Sequence, residues 1–295
     1  MTASGAEPGR RHVVASARTD VGRQRSENQD AFTLTPLGDA AVRPDRGGSG
    51  PNTGTVVPVS ARLDATAPGF LFVVADGMGG AAAGEIASRL AVTTLDQVVA
   101  SGWEEHPPDT AAALGELMSE AVSEANGRIH DWAERHREYR GMGSTLTALG
   151  LLGPTAIVRH VGDSRAYLVR DGEVRQITED QTVAQKLVES GSLSPEEALE
   201  SRQSHVLLRA LGTEPEVEAQ PEAIELRDGD GLLLCTDGLS HLVPPTRIAE
   251  ILRAAPDPAT AVDRLIEGAN DGGGHDNITV VFARVGAGDA TAGGS

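Results

Sequence analysis

The chain has 295 residues, a formal net charge of −18 and one cysteine. That length allows a sizeable core in one large domain or two small ones. The acidic balance disfavours a nucleic-acid or anionic-membrane surface, which needs clustered Lys and Arg. The lone Cys235 excludes an intrachain disulfide. No apolar run approaches the roughly 18 residues of a membrane helix, and no signal-peptide core is visible. A soluble cytoplasmic chain is the expectation.

Residues 1–10 and 286–295 read as flexible tails around a domain of 11–285. HVVASARTDVG alternates as a strand and NQDAFTL continues as a second. Residues 37–69 lack periodicity and read as a long surface loop. FLFVVA, 70–75, is apolar on both faces and reads as a buried strand. A helix is expected from near Gly84, with Ile86, Leu90, Leu95 and Val98 on one face. A longer one follows Asp109 as N-cap, its apolar face running from Leu114 to Trp132. The period then drops to two. STLTALGLL and TAIVRHVG flank Gly153-Pro154, and SRAYLVR and EVRQIT flank Asp171-Gly172, a hairpin signal. Short helical pieces are expected near 183–188 and 195–199. GLLLCT is another buried strand, two helices follow near 246–254 and 258–269, and NITVVFARV closes the chain. Hairpin-joined strands with paired helices point to an α+β sandwich with mainly antiparallel sheets rather than a parallel doubly wound sheet.

Five aspartates sit where apolar strands begin or end. Asp76 ends FLFVVA, Asp163 follows IVRHVG, Asp237 ends LLLCT, Asp276 precedes ITVVFARV, and Asp30 lies in SENQDAF. One aspartate at a strand end is ordinarily a turn residue. Several ionised carboxylates gathered at one end of a sheet are costly unless cations pair with them. Mg²⁺ or Mn²⁺, with oxygen ligands and retained waters, answers that need. Gly77 lets a backbone carbonyl approach such an ion, and Asp76 is placed to bridge two. Two ions about 3.5–4 Å apart can hold a hydroxide and orient phosphorus for in-line attack. Arg25, in GRQRSENQD, offers a fork for phosphate oxygens.

Taken in order, GRQRSENQDAF, FVVADGMGGAAAGEIAS, GMGSTLTAL, HVGDSRAYL, LLCTDGLS and GHDNITVV resemble the motifs of the PP2C-type (PPM) metal-dependent protein serine/threonine phosphatases, in their bacterial branch. The resemblance runs from about 12 to 284. It implies a four-layer α-β-β-α sandwich, two mainly antiparallel sheets flanked by helix pairs, with the metal centre at one end. It implies that Asp76 bridges two core Mn²⁺ or Mg²⁺ ions and that Gly77 offers its carbonyl to one. Asp237 and Asp276 complete the other, and Asp30 acts through metal-bound water. Asp163 and Asp237 hold a weaker third ion, with Ser204 or His205 as neighbours. Arg25 receives the phosphate. Gln29, Asn277 and His275 support the ligands, and residues 178–212 form a flap. The implied activity is hydrolysis of phosphoserine and phosphothreonine in proteins by a metal-bridging hydroxide, opposing a bacterial Ser/Thr kinase, by a monomer.

Two positions depart from the family. Gln29 stands where Glu is common, and Met78 where eukaryotic members carry a histidine proposed as general acid. Two rivals accompany this reading. One is a branch acting on phosphorylated anti-sigma-factor antagonists. The other is a pseudophosphatase that only binds phosphoproteins, which the full set of aspartates disfavours.

Overall fold

The computed structural model describes residues 9–38, 59–201 and 203–287. Within them the chain runs β1 (Arg11–Asp20), β2 (Asp30–Leu37), β3 (Ser60–Ala67), β4 (Gly69–Met78), α1 (Ala81–Glu105), α2 (Ala111–Arg135), β5 (Gly143–Ser144), β6 (Leu146–Leu152), β7 (Thr155–Val161), β8 (Arg165–Arg170) and β9 (Glu173–Gln176). It continues through α3 (Val183–Glu189), α4 (Pro195–Glu200), β10 (Gln220–Glu225), β11 (Gly231–Cys235), α5 (Asp237–Ser240), α6 (Pro245–Ala254), α7 (Pro258–Asp271) and β12 (Ile278–Ala287).

One sheet has the order β3-β1-β12-β11-β8-β9, the other β10-β7-β6-β4-β2 with β5 paired to β4. Every strand pair is antiparallel. The period-two geometry of a strand explains the layering. In β4, Phe70, Phe72 and Val74 enter the core between the sheets, while Leu71, Val73 and Ala75 face α1 and α2. In β12, Val281, Ala283 and Val285 share that central core, and Ile278, Val280 and Phe282 face α6 and α7. Three apolar layers thus separate four layers of structure, α-β-β-α. Phe72 is fully buried in the central one. Phe72→Ala is expected to cost about 3–5 kcal/mol, read as a lower denaturant midpoint at unchanged slope.

The segment 37–69 is not wholly a loop. Its last part is β3, an edge strand whose register runs from Arg18↔Ser60 to Arg11↔Ala67 on β1. The exposed and half-buried faces of SARLDATA leave too little apolar contrast for a strand to show in the sequence. Residues 39–58 of that segment, and most of both expected tails, lie outside the described residues. Gly286 and Ala287 belong to β12 rather than to a tail. The first helix starts at Ala81, not near Gly84, and the second is capped by the Thr110 side chain rather than Asp109. Trp132 is 38% exposed and stacks on His136 instead of entering the core. The hairpin at Asp171-Gly172 has φ of 53° and 80°, the mirror-image turn that suits strand twist. Among the described residues, no helix is long and apolar enough to cross a membrane.

Candidate metal centre

The five aspartates come from both sheets and meet at one end of the sandwich. Asp30 opens β2 directly opposite Asp76 in the β4 register. Asp237 follows β11 at the first turn of α5, Asp163 lies in the β7–β8 turn, and Asp276 precedes β12. Asp30, Asp163 and Asp237 are buried.

The backbone of this cluster is fixed by neighbours other than the carboxylates. The Asp76 amide donates to Thr145 Oγ1 at 2.9 Å. Its carbonyl accepts from the Thr145 amide at 2.8 Å and from Ser144 Oγ at 3.0 Å. Asp30 reaches across to the other sheet. Its Oδ2 accepts from Thr236 Oγ1 and Thr279 Oγ1, each at 2.7 Å. Asn277 ties the loop before β2 to β12. Its Oδ1 accepts from the Gln29 amide at 2.8 Å, and its Nδ2 donates to the carbonyls of Val21 and Glu27.

Gly77 has a steric reason of its own. A Cβ there would lie 1.9 Å from the Gly84 carbonyl oxygen, so the end of β4 and the first turn of α1 can close only as two glycines. Gly79 and Gly80 then turn the chain at φ of 113° and 90°. The Gln29 carboxamide donates to the Gly80 carbonyl at 2.6 Å, so this side chain fastens the glycine turn.

Burial is the first influence on Asp30, Asp76, Asp163 and Asp237. It pushes Asp30 up to about 7, against the pull of the Thr279 and Thr236 hydroxyls and with the charges of Asp237 and Asp276 adding. It pushes Asp76 well above the ordinary range, reinforced by Asp30, Asp237, Asp163 and Asp276. Asp163 is raised in the same way, by burial and then by Asp237. Asp237 is the exception. Burial would raise it, but His205 and His241 outweigh burial and hold it below the carboxylate range. Two oxygens, Asp30 Oδ1 and Asp237 Oδ1, are buried without a hydrogen-bond partner. Mutually repelling carboxylates with orphaned buried oxygens are a donor set that fits a hard divalent cation.

Arg25 donates to Asp276 Oδ2 at 2.7 Å and is half exposed, so its guanidinium stands at the rim of the cluster. His275 is exposed and meets the Gln24 carboxamide. His160 is buried between Thr147 Oγ1 and the Glu179 carbonyl. Burial lowers it to about 4, so it is a neutral packing residue. The segment 178–212 carries α3 and α4 and is tied at both ends. Asp180 forms a partly buried ion pair with Arg165 at 2.6 Å, Gln181 donates from its amide to the Gly162 carbonyl, and Leu211 bridges to Ser144. Sequence reasoning missed His241, whose Nδ1 lies 3.4 Å from Asp237 Oδ2. Its signal was the four-residue spacing Asp237-Gly-Leu-Ser-His241, one helical turn.

An α-β-β-α sandwich with a carboxylate cluster at one end of its sheets defines a class of metal-dependent phosphatases, and the comparisons agree. The Protein phosphatase 2C family pattern matches residues 61–267, and the chain belongs to that family. The serine/threonine phosphatase stp of Listeria monocytogenes is 38% identical over 72% of this chain and 83% of its own length. The serine/threonine protein phosphatase PstP of Mycobacterium tuberculosis is 42% identical over 83% of this chain and 44% of its own. The solved catalytic domain of a PstP, in complex with two manganese ions, superposes with a TM-score of 0.73 at 36% identity, covering 94% of this chain and 99% of that one.

Proposed function

We propose that this chain hydrolyses phosphoserine and phosphothreonine esters in proteins, using Mn²⁺ or Mg²⁺. The observation that carries this is the carboxylate cluster with its two orphaned oxygens, in a chain whose solved relative binds two manganese ions. Asp76, Asp237 and Asp276, with the Gly77 carbonyl, would hold two core ions. Asp30 would act through their waters, and Asp163 with Asp237 would hold a weaker third. Such ions supply an activated water and neutralise phosphoryl charge.

The chain's own side chains do the rest. The Thr236 and Thr279 hydroxyls keep one Asp30 oxygen occupied and leave the other, Oδ1, buried without a hydrogen-bond partner. Arg25 exchanges Asp276 for phosphate oxygens, which a planar fork binds in bidentate fashion. Asn277 and Gln29 hold the loops that carry Arg25, Asp30 and Gly77. Arg25→Ala is expected to lower kcat/KM for a phosphothreonine peptide by about 10²–10³, the usual loss when one preorganised donor to developing charge is removed.

Cys235 is not the nucleophile in this reading. It is fully buried, and burial pushes its thiol up to about 12. Cys235→Ser is expected to retain turnover. The phosphoesters consumed must be made by a Ser/Thr kinase, so we infer that this enzyme opposes one, as a cytoplasmic monomer. The test is phosphate release from a phosphothreonine peptide with EDTA, Mg²⁺ or Mn²⁺, for wild type and Asp237→Ala. Turnover that needs the metal and is lost in the variant supports the reading. A folded wild type inert with either metal would sink it in favour of a phosphoprotein-binding role.

A further inference from the structure

A cavity of about 270 Å³ lies at the end of the β3-β1-β12-β11-β8-β9 sheet away from the metal centre. β11 begins there at Gly231 and runs to Cys235, two residues before Asp237. β8 likewise runs from Arg165, two residues after Asp163, to Arg170, next to the Asp171-Gly172 rim of the cavity. The floor is apolar. Val169, Leu252 and Phe282 belong to the core between this sheet and the helices α6 and α7, and Ala249 of α6 forms a side wall. Arg253 of α6 and Arg284 of β12 line the same space.

Main-chain carbonyls hold both guanidiniums in place. Arg253 Nη2 donates to the Gly172 carbonyl at 2.8 Å. Arg284 donates from Nη1 to the Pro256 carbonyl and from Nη2 to the Ala255 carbonyl, each at 2.8 Å. Its Cζ lies 5.9 Å from the Phe282 ring centroid, within cation–π reach. Carbonyls orient a guanidinium without cancelling its charge. Arg170, close by, is the contrast, with Nη2 on Asp230 at 2.6 Å. Among the described residues, neither Arg253 nor Arg284 has a carboxylate within ion-pair distance, in a chain of net charge −18. Asp171, exposed in the hairpin turn, is the one carboxylate among the residues lining the cavity. Two oriented, uncompensated cations over an apolar floor suit an anion with an apolar body.

We propose that this cavity binds a small carboxylate with an aromatic or branched aliphatic body, of about the size of benzoate. The carboxylate takes N–H groups of Arg253 and Arg284 that the carbonyls leave over, in the fork geometry that suits it. The body covers Phe282, Leu252 and Val169. The volume is just under the range of about 300–1,000 Å³ for drug-sized ligands, so the occupant is small. A bare inorganic anion would leave the floor unused. The site stands apart from the metal centre and does not depend on the phosphatase reading.

The experiment titrates 3-fluorobenzoate into the full chain by fluorine NMR, once with Mn²⁺ and once with EDTA, with acetate as competitor. Wild type is compared with Arg253→Ala, Arg284→Ala and the cavity-filling Ala249→Met. Arg253 is exposed and methionine keeps helix propensity at Ala249, so these two variants decide the matter even if Arg284→Ala fails to fold. Saturable binding is expected in wild type, equal with Mn²⁺ and with EDTA. Each arginine variant is expected to bind about 10–100-fold more weakly, the usual loss for a hydrogen bond to a charged group. Ala249→Met is expected to lose binding with its melting temperature and phosphopeptide turnover unchanged. Absence of saturable binding, equal binding in all variants, or binding that needs Mn²⁺ overturns the site. Acetate that displaces the probe at equal concentration overturns the apolar floor. Binding through the same arginines by a peptide ending in phenylalanine, and not by fluorobenzoate, overturns the small-molecule assignment in favour of a protein partner.

Discussion

Asp76→Asn is expected to abolish phosphopeptide hydrolysis while raising the melting temperature of the metal-free protein. The two effects share one cause. The main chain at Asp76 is held by Thr145 and Ser144, so the strand end keeps its place without the carboxylate. Asparagine removes the carboxyl whose negative charge burial and the facing Asp30, Asp237, Asp163 and Asp276 make costly, so the metal-free fold no longer has to take up a proton there. The same charge is what a pair of bridged cations requires. Removing one preorganised electrostatic group commonly costs 10²–10³ in rate, and a ligand shared by two ions is expected to cost at least the upper figure. Phosphate release with Mn²⁺ and a melt in EDTA read the two arms. Wild-type turnover in the variant, or a lower metal-free melting temperature, contradicts the assignment.

In EDTA, stability is expected to fall as pH rises from about 4 to 7, the reverse of what paired surface carboxylates produce. Asp30 stands at about 7 in the folded protein against an ordinary 3.8. Between those values the folded state holds a proton that the unfolded state has released, so unfolding becomes easier as pH climbs. Each pKa unit is worth about 1.36 kcal/mol, which makes the fall on the order of a few kcal/mol. Asp76 and Asp163, raised by burial as well, act in the same direction. His205, raised by its contact with Asp237, loses its contribution as pH passes its folded value and adds to the same slope. Asp237 and His160 run the other way. The contribution of Asp237 is lost in acid below the ordinary carboxylate range. His160, lowered by burial to about 4, costs the folded state as pH falls below the ordinary 6.5. The net fall is what the raised carboxyls leave after this opposition. Mn²⁺ is expected to abolish or invert the slope, because a cation favours the deprotonated cluster. At about 100 times its dissociation constant it adds about 2.7 kcal/mol. Denaturant melts across pH, with EDTA and with Mn²⁺, check this. Stability that rises with pH in EDTA contradicts it.

Much of this was readable from the chain because the signals were local. FLFVVA could only be a strand buried on both faces, and its two residue sets do enter two cores. The strand-end aspartates were visible one by one, and their order matched a known family. What stayed hidden depended on partners far along the chain. β3 and β10 are edge strands with polar, exposed faces, so neither shows an apolar period. Thr236, just after β11, and Thr279, in β12, look ordinary until Asp30 is seen to reach them from the other sheet. Gly77 was read as access for an ion, yet its contact with Gly84 is a packing demand that no spacing reveals. Gln29 was read as a support for the ligands, and its carboxamide is found fastening Gly80.

The most direct test is an anomalous difference map at the manganese edge, from crystals grown with Mn²⁺. Two strong peaks sharing the Asp76 carboxylate, one also within ligand distance of Asp237 and Asp276, are the predicted result. A map with no peak at the carboxylate cluster, in crystals that bind manganese elsewhere, would contradict the account.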